Sequence, residues 1–400
     1  MQEVLLGRLE QRMRALDVPL SITLWNGRRI GAEAGGDVQV TVRSPKVLAS
    51  MINPTMGNLA RYYVEQDLDV EGEARQVIRA AEALSGTPGE PHRRASLLKS
   101  VLAHSRRFDS KSIRYHYDVD DDFFGLWLDA RRVYSCAYFR RADDTLDIAQ
   151  EQKLDHICRK LALKPGERFL DIGCGWGALA MHAAERYGVE ATGITLSENQ
   201  HRLANERIAA AGLQDRCRVL LQDYRDAPGE EAYDKIASVG MFEHVGLRNL
   251  ETYFGVVRRL LKERGLFLNH GITSSDVGNR AVGLGGGEFI GRYVFPTGEL
   301  PHLHRAIHDM SEQHLEVHDV ESLRPHYAKT LGFWSANFER NLDAAVESAG
   351  ERIARIWRIY LAGCAHAFEQ GWVTIYQVLA SRQTRPGRTA LPLTRDWMYR

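Results

Sequence analysis

The sequence predicts an α/β protein: a doubly wound parallel sheet with antiparallel edge strands, preceded by a small α+β domain. Two observations predict it. From Arg168 onward, short apolar runs alternate with helical stretches, the rhythm of strands joined by crossover helices. Within that rhythm, Phe169-Leu-Asp-Ile-Gly-Cys-Gly-Trp-Gly177 sets glycines between an apolar strand and a helix rich in Leu and Ala. Glycine lets a backbone turn sharply and lie close to a ligand. In such sheets ligands bind outside the carboxyl ends of the strands.

Residues 1–90 read as the first domain. Ile22–Trp25 and Val38–Val42 alternate as strands, with Asn26-Gly27 as a turn. Residues 47–64 read as helix and Asp67–Gly72 as a short strand and turn. Gly86-Thr-Pro-Gly-Glu-Pro91 has linker composition. The stretch 91–114 is basic and amphipathic: His92, Arg93, Arg94, Lys99, Arg106, Arg107 and Lys111 interleave with Leu97, Leu98, Val101 and Leu102. A helix of that kind lies on an anionic bilayer; a solvated charged face is the other reading. Residues 115–400 read as the second domain. Tyr115–Asp118 and Tyr134–Phe139 are dense in aromatics and suggest a pocket wall. Strands follow at Glu190–Thr195, Arg218–Gln222, Lys235–Val239 and Leu266–His270, with helices from Ser197 and from an Asn249 cap. Gly283–Gly291 is glycine-dense, as a lid or substrate loop would be. Leu315–Val320 and Ile375–Ser381 supply antiparallel edge strands around a helical 336–367.

Composition narrows the function. The 400 residues suffice for two or three domains and 44% of them are apolar. Fifty-two basic residues balance 52 acidic ones, which argues against bulk nucleic-acid binding. Five scattered cysteines fit a reducing cytoplasm rather than a disulfide framework. The N-terminus lacks signal-peptide architecture, and no apolar run approaches the roughly 20 residues of a membrane span. A cytoplasmic protein is expected, one that meets a membrane only from its inner surface. No metal site is expected. The glycine spacing is neither Gly-x-Gly-x-x-Gly nor followed by Gly-Lys-Ser/Thr, so a nucleoside ligand without phosphates is favoured over a dinucleotide or a triphosphate.

The glycine turn resembles the first motif of S-adenosylmethionine-dependent methyltransferases. Five further motifs occur with it in one order: Tyr134-Ser-Cys-Ala-Tyr-Phe139, Gly193-Ile-Thr-Leu-Ser-Glu-Asn-Gln200, Ser238-Val-Gly-Met-Phe-Glu-His-Val-Gly246, Arg292-Tyr-Val-Phe-Pro-Thr-Gly298 and Tyr360-Leu-Ala-Gly-Cys-Ala-His-Ala-Phe368. Together they resemble the cyclopropane-fatty-acyl-phospholipid synthase family across about 108–400. The leading domain resembles a sterol-carrier-like lipid-binding module; a scaffold without a ligand is the other reading. The resemblance implies a Rossmann-like class I methyltransferase domain with a seven-stranded mixed sheet and lipid-pocket insertions at about 272–340. It implies transfer of the methyl of S-adenosylmethionine to the cis double bond of unsaturated phospholipid acyl chains, giving a cyclopropane. A related lipid C-methyltransferase leaving a methyl branch stays open. A homodimer is implied by resemblance alone.

The cofactor is expected against Asp171, Gly173, Gly175 and Gly177, with a helix N-terminus to receive its carboxylate. The resemblance adds Thr195 and Gln200 for the ribose, and Tyr134 and Ser135 over the cofactor. Ser197-x-x-Gln200 is also a capping box, a competing use of Gln200. Asp223 could accept from the adenine amino group with Tyr224 beside the ring. A cation formed on the acyl chain must lose a proton for the ring to close, so a base is needed. The resemblance implies a bound bicarbonate in a cage that maps to Cys136, Glu243, His270, Tyr327 and the backbone of Ile272. Glu243 follows one strand and His270 ends the next, which places both at one sheet edge. Cys364 matches a family cysteine and is kept as a candidate catalytic residue, although Leu361, Cys364 and Phe368 at helical spacing read as one packed face.

Overall fold

The structure is a computed structural model. It describes residues 2–15, 20–31, 37–52, 54–85, 121–278, 286–295, 298–384, 387 and 391–399. The linker, the basic stretch 92–111, Tyr115–Asp118 and part of the glycine-dense loop lie outside the described residues. The chain divides into two compact units.

The first unit holds a four-stranded sheet of order β2-β1-β3-β4, from β1 (Leu20–Thr23), β2 (Arg29–Gly31), β3 (Val38–Val42) and β4 (Leu68–Glu71). β1 and β2 form an antiparallel hairpin around Asn26-Gly27, and β1 pairs with β3 in parallel. The helix expected over 47–64 is two helices, Leu48–Ile52 and Met56–Val64. Pro54 falls between them; its missing N–H and fixed φ interrupt a helix. Thr55 caps the second by accepting from Asn58 N–H at 3.1 Å.

This unit also takes in residues 286–295 and 331–372, which the sequence places with the C-terminal domain. The reason is apolar packing. Ile356, Ile359 and Ala362 of the helix Glu351–Glu369, with Phe289 and Tyr293, share one core with Leu9, Ile22, Val42 and Ile78. Arg358 adds a buried polar tie. It donates to Glu339 at 2.6 Å, the Tyr63 hydroxyl at 3.1 Å, Val70 O at 3.3 Å and Gly72 O at 2.7 Å.

The second unit holds a seven-stranded mixed sheet of order β10-β11-β9-β8-β5-β6-β7. Its strands are β5 (Arg168–Ile172), β6 (Glu190–Thr195), β7 (Cys217–Leu221), β8 (Tyr233–Val239), β9 (Leu261–Ser274), β10 (Leu315–Ser322) and β11 (Val373–Arg382). β5 to β9 are parallel; β11 and β10 add the antiparallel edge. Alternation along the strands builds two cores. Phe169, Ala237, Leu266, Leu268 and Leu379 face one side, under Leu154, Ile157, Leu179 and Ala204 of three helices. Leu170, Ile236, Phe267 and Val378 face the other, against Tyr253, Phe254, Val257 and Met310. The chain crosses from one side of β5 to the other between β7 and β8, so the strand order reverses beside β5. That reversal opens a crevice at the carboxyl ends of β5 and β8.

β9 extends past His270 to Ser274, because β11 pairs with it from Leu266 through Ser274. His270 therefore stands inside a strand rather than at its end.

Arg358→Ala is expected to cost the first unit about 3 kcal/mol, since it strands Glu339 and the Val70 and Gly72 carbonyls. Urea denaturation followed by fluorescence checks this; a loss well under about 1 kcal/mol, the scale of a surface pair, would contradict it.

Candidate active site

The glycine turn after β5 is left-handed at each of its glycines: φ is +78° at Gly173, +55° at Gly175 and +80° at Gly177. The N–H groups of Gly173 and Cys174 both donate to Ile194 O on β6, at 2.9 and 3.0 Å. A Cβ on Gly173 would come within 2.8 Å of Met241 Cβ, whereas one on Gly175 would meet nothing within 4 Å. Packing inside the protein requires the first glycine; the second borders open space.

That space is a cleft lined by Tyr134, Ser135, Asp171, Gly173, Gly175, Thr195, Gln200 and Tyr224. Gly177 lies behind the lining as the helix N-cap. Trp176, Lys153 and Arg225 are also in the wall and were not expected. Thr195 Oγ1 donates to Gln200 Oε1 at 2.9 Å and accepts from Ser197 N–H at 3.2 Å. Ser197 Oγ accepts from Gln200 N–H at 3.3 Å. The capping box is thus half made: Thr195 meets the Ser197 amide, and the Gln200 side chain is turned to Thr195. Asp223 is not part of the lining. Its carboxylate accepts from Arg225 N–H at 2.9 Å and pairs with the Arg225 guanidinium at 2.6 Å, closing the turn Tyr224–Asp226.

Lys153 is the main residue that the sequence left unread. It is buried on the helix Leu146–Lys160 and donates to Ser135 Oγ at 2.9 Å. Burial pulls its pKa down to about 8 and pushes that of Asp171 up to about 7, each partly offset by the other's charge. Gln150, one turn earlier, donates to Ser135 O at 2.9 Å. The spacing of Gln150, Lys153, His156 and Lys160 was the available signal, but such a stripe reads equally as a solvated face.

Beyond the cleft, the short turn Phe242–His244 after β8 lies on β9. Gly271 permits this approach: a Cβ there would meet Phe242 at 2.8 Å. Glu243, 7% exposed, accepts from Ile272 N–H at 2.6 Å through Oε1, so that amide is engaged by the carboxylate. Glu243 Oε2 and His270 Nε2 are buried with no hydrogen-bond partner. Burial raises Glu243 to about 7 and lowers His270 well below its ordinary value. His270 and Ile272 are two apart on β9 and share a face. The buried Cys136 thiol donates to Ala137 O at 3.3 Å and Leu323 O at 3.8 Å, and burial keeps it a thiol. Tyr327 is buried near the start of the helix Arg324–Arg340. In that first turn and the next, His326 Nδ1 accepts from Phe139 N–H at 3.0 Å and Thr330 Oγ1 from Ala137 N–H at 3.1 Å. Cys364 belongs to the first unit, half-buried on a helix whose Leu361 and Phe368 are core residues; burial pushes its thiol up to about 12.

Sheet order, glycine turn and cleft together define a class I methyltransferase fold of the S-adenosylmethionine-dependent kind. Residues 104–378 match the family described as mycolic acid cyclopropane synthetase. A Pseudomonas putida protein named "Probable fatty acid methyltransferase" is 45% identical over 401 residues, 99% of this chain and 100% of its own. The cyclopropane-fatty-acyl-phospholipid synthase of Escherichia coli strain K12 is 42% identical over 272 residues, 68% of each chain. The crystal structure of mycolic acid cyclopropane synthase CmaA1 complexed with SAH and CTAB is 37% identical, with a TM-score of 0.65 over 68% of this chain and 98% of that one. The chain belongs to the mycolic acid cyclopropane synthetase family and is a methyltransferase.

Gly175→Ala is expected to fold, at a cost of about 1 kcal/mol for its left-handed backbone, and to lose S-adenosylmethionine affinity. Gly173→Ala is expected to lower the melting temperature more, because Met241 must move. Calorimetric binding with thermal denaturation separates the two; equal behaviour would contradict their different roles.

Glu243 also sets a pH dependence. Between an ordinary carboxyl value of about 4.3 and its raised value, the folded chain keeps a proton that the unfolded chain releases, so stability falls as pH rises across that window. Glu243→Gln should remove the Glu243 share of that dependence; Asp171 contributes in the same sense, and His270 and His182, whose proton affinities burial lowers, in the opposite one. Urea midpoints at about pH 5 and about pH 8 test it; an unchanged difference refutes the assignment.

Proposed function

We propose that the protein transfers the methyl of S-adenosylmethionine to the cis double bond of unsaturated acyl chains in membrane phospholipids, closing a cyclopropane ring with bicarbonate as base. The observation that carries this reading is that Glu243 Oε2 and His270 Nε2 are both buried without a hydrogen-bond partner. Polar atoms left unpaired at that depth are costly, and a small anion with a proton to share would satisfy both. Glu243, raised to about 7 by burial, can carry that proton and so avoid repelling the anion.

Cys136, Glu243, His270 and Tyr327 are the residues proposed to hold bicarbonate; the Ile272 amide, expected to join them, donates to the Glu243 carboxylate and fixes it in place. When bound, it would supply a weak oxyanion base. The methionine part of the cofactor is proposed to lie along Gly173–Gly175, with Thr195 and Gln200 toward its ribose and Tyr134 and Ser135 over it. Tyr134, Trp176 and Tyr224 line the cleft, and aromatic rings stabilise positive charge held near their faces. In the reaction the alkene carbon bonds the methyl, the methyl–sulfur bond breaks, and the resulting cation loses a methyl proton as the ring closes.

Among the described residues no helix is long and apolar enough to cross a membrane. Docking from the cytoplasmic face is proposed through the basic stretch 92–111, by attraction to anionic lipid that salt screens. A second reading has a specific support: the full-length relative from Pseudomonas putida carries the name of a fatty acid methyltransferase. A methyl-branched product is that reading's outcome.

The test supplies methyl-labelled S-adenosylmethionine and vesicles of cis-unsaturated phospholipid, then reads ring against branch in the released acyl chains. Turnover should fall in carbonate-depleted buffer and return with added bicarbonate. Glu243→Gln and His270→Ala should each lower it about 10²–10⁴-fold, the usual share of general-base catalysis, with cofactor affinity unchanged. Full activity after depletion removes bicarbonate from the mechanism, and a branched product selects the second reading.

A further inference from the structure

The face of the larger sheet under the helix Leu146–Lys160 carries a row of polar side chains. Glu321 on β10 is the register partner of Gln377 on β11, and Gln377 is the register partner of His270 on β9. Paired residues on neighbouring strands project to one face and stand side by side. Gln377 and His270 are fully buried. Glu321 is already engaged, by Lys160 at 2.6 Å and His156 at 2.8 Å. Gln377 Nε2 lies 3.2 Å from His270 Nδ1.

An amide NH2 donates and cannot accept. With the amide of Gln377 placed so, its Oε1 has no hydrogen-bond partner, and Nδ1 of His270 is the acceptor that carries no hydrogen. The buried ring is neutral and has a single N–H. That hydrogen sits on Nε2, the buried atom without a protein partner.

We propose that Gln377 is a positioning residue for the methyl transfer: it fixes the tautomer of His270 so that Nε2–H is a donor within the site. The proposal rests on the reading that His270 helps to hold an anionic base. In the other tautomer Nε2 would present a lone pair, which repels an anion. An uncharged amide suits this post. It selects the tautomer without drawing a second proton onto the ring, and it stands between His270 and the carboxylate of Glu321. A carboxylate at 377 would instead accept from Nδ1–H and favour the imidazolium.

The test is nitrogen NMR of the full chain with labelled histidine, combined with bicarbonate titration of turnover. Wild-type His270 is expected to show an unprotonated Nδ1 and a protonated Nε2. Gln377→Leu should mix the tautomers, and the near-isosteric Gln377→Glu should place a proton on Nδ1. Gln377→Leu should raise the bicarbonate needed for half-maximal turnover about tenfold, the scale of one hydrogen bond to a charged acceptor, with S-adenosylmethionine affinity unchanged. A protonated Nδ1 in the wild type overturns the proposal, because Gln377 would then accept and His270 Nε2 would be a base itself. So does a Gln377→Leu protein that keeps both its tautomer and its bicarbonate dependence. The wild-type spectrum needs neither a variant that folds nor bicarbonate. A tautomer that follows Gln377 while turnover ignores bicarbonate supports the role of Gln377 and refutes the bicarbonate reading alone.

Discussion

Buried polar groups on one helix face set the terms for the catalytic unit. Gln150, Lys153, His156 and Lys160 recur every three or four residues along the helix Leu146–Lys160, and all are buried. A lone buried cation costs several kcal/mol, so each group must be met. Lys160 takes Asp319 and Glu321 on β10, His156 takes Glu321, Lys153 takes Ser135 Oγ, and Gln150 takes the Val133 and Ser135 carbonyls. The edge of the sheet and the irregular segment 133–137 are thereby fixed to the same helix. Ser135 is held through both its carbonyl and its hydroxyl, and its chain neighbours Tyr134 and Cys136 are placed with it. Tyr138 is stacked between His156 at 4.2 Å and His326 at 4.9 Å, extending the clamp to the helix that carries Tyr327.

The cleft follows from chain reversal at β5. Parallel strands deliver their carboxyl ends to one edge, and the change of direction between β6 and β8 leaves the space beside β5 uncovered. Two glycines then bring backbone close enough to shape the site. Gly173 admits Met241, and Gly271 lets the turn Phe242–His244 rest on β9 so that Glu243 reaches the Ile272 amide. The same burial that orders these groups moves their proton affinities toward neutrality: Asp171 and Glu243 rise to about 7 and Lys153 falls to about 8.

The first unit illustrates how far sequence neighbours part in space. Residues 331–372 lie between β10 and β11 of the methyltransferase sheet in the chain, yet their apolar face completes the core begun by residues 2–85. A small four-stranded sheet buries too little by itself. Arg358 shows the polar side of the same dependence, since it satisfies carbonyls at the end of β4 and the hydroxyl of Tyr63.

Sequence alone determined the α/β class, most of the strands and the family, because these rest on local signals; the short β2 (Arg29–Gly31) was not read. Alternation of apolar residues marks a strand wherever it pairs, and a glycine turn after an apolar run announces a crevice before any contact is known. Cys136 and Glu243 lie within the ordered motifs, whereas His270 and Tyr327 could be named only from the family resemblance. Tertiary structure decided the partners. Gln377 looks like any polar residue in an edge strand until register sets it against His270. Lys153 and Lys160 look solvated until the sheet covers them, and Asp223 looks available until Arg225 closes on it. The assignment of residues 331–372 to the first unit was equally invisible, because an amphipathic helix states that one face is apolar and not which core will bury it. Spacing encodes periodicity, whereas burial and hydrogen-bond partners are set by pairing between residues far apart in the chain.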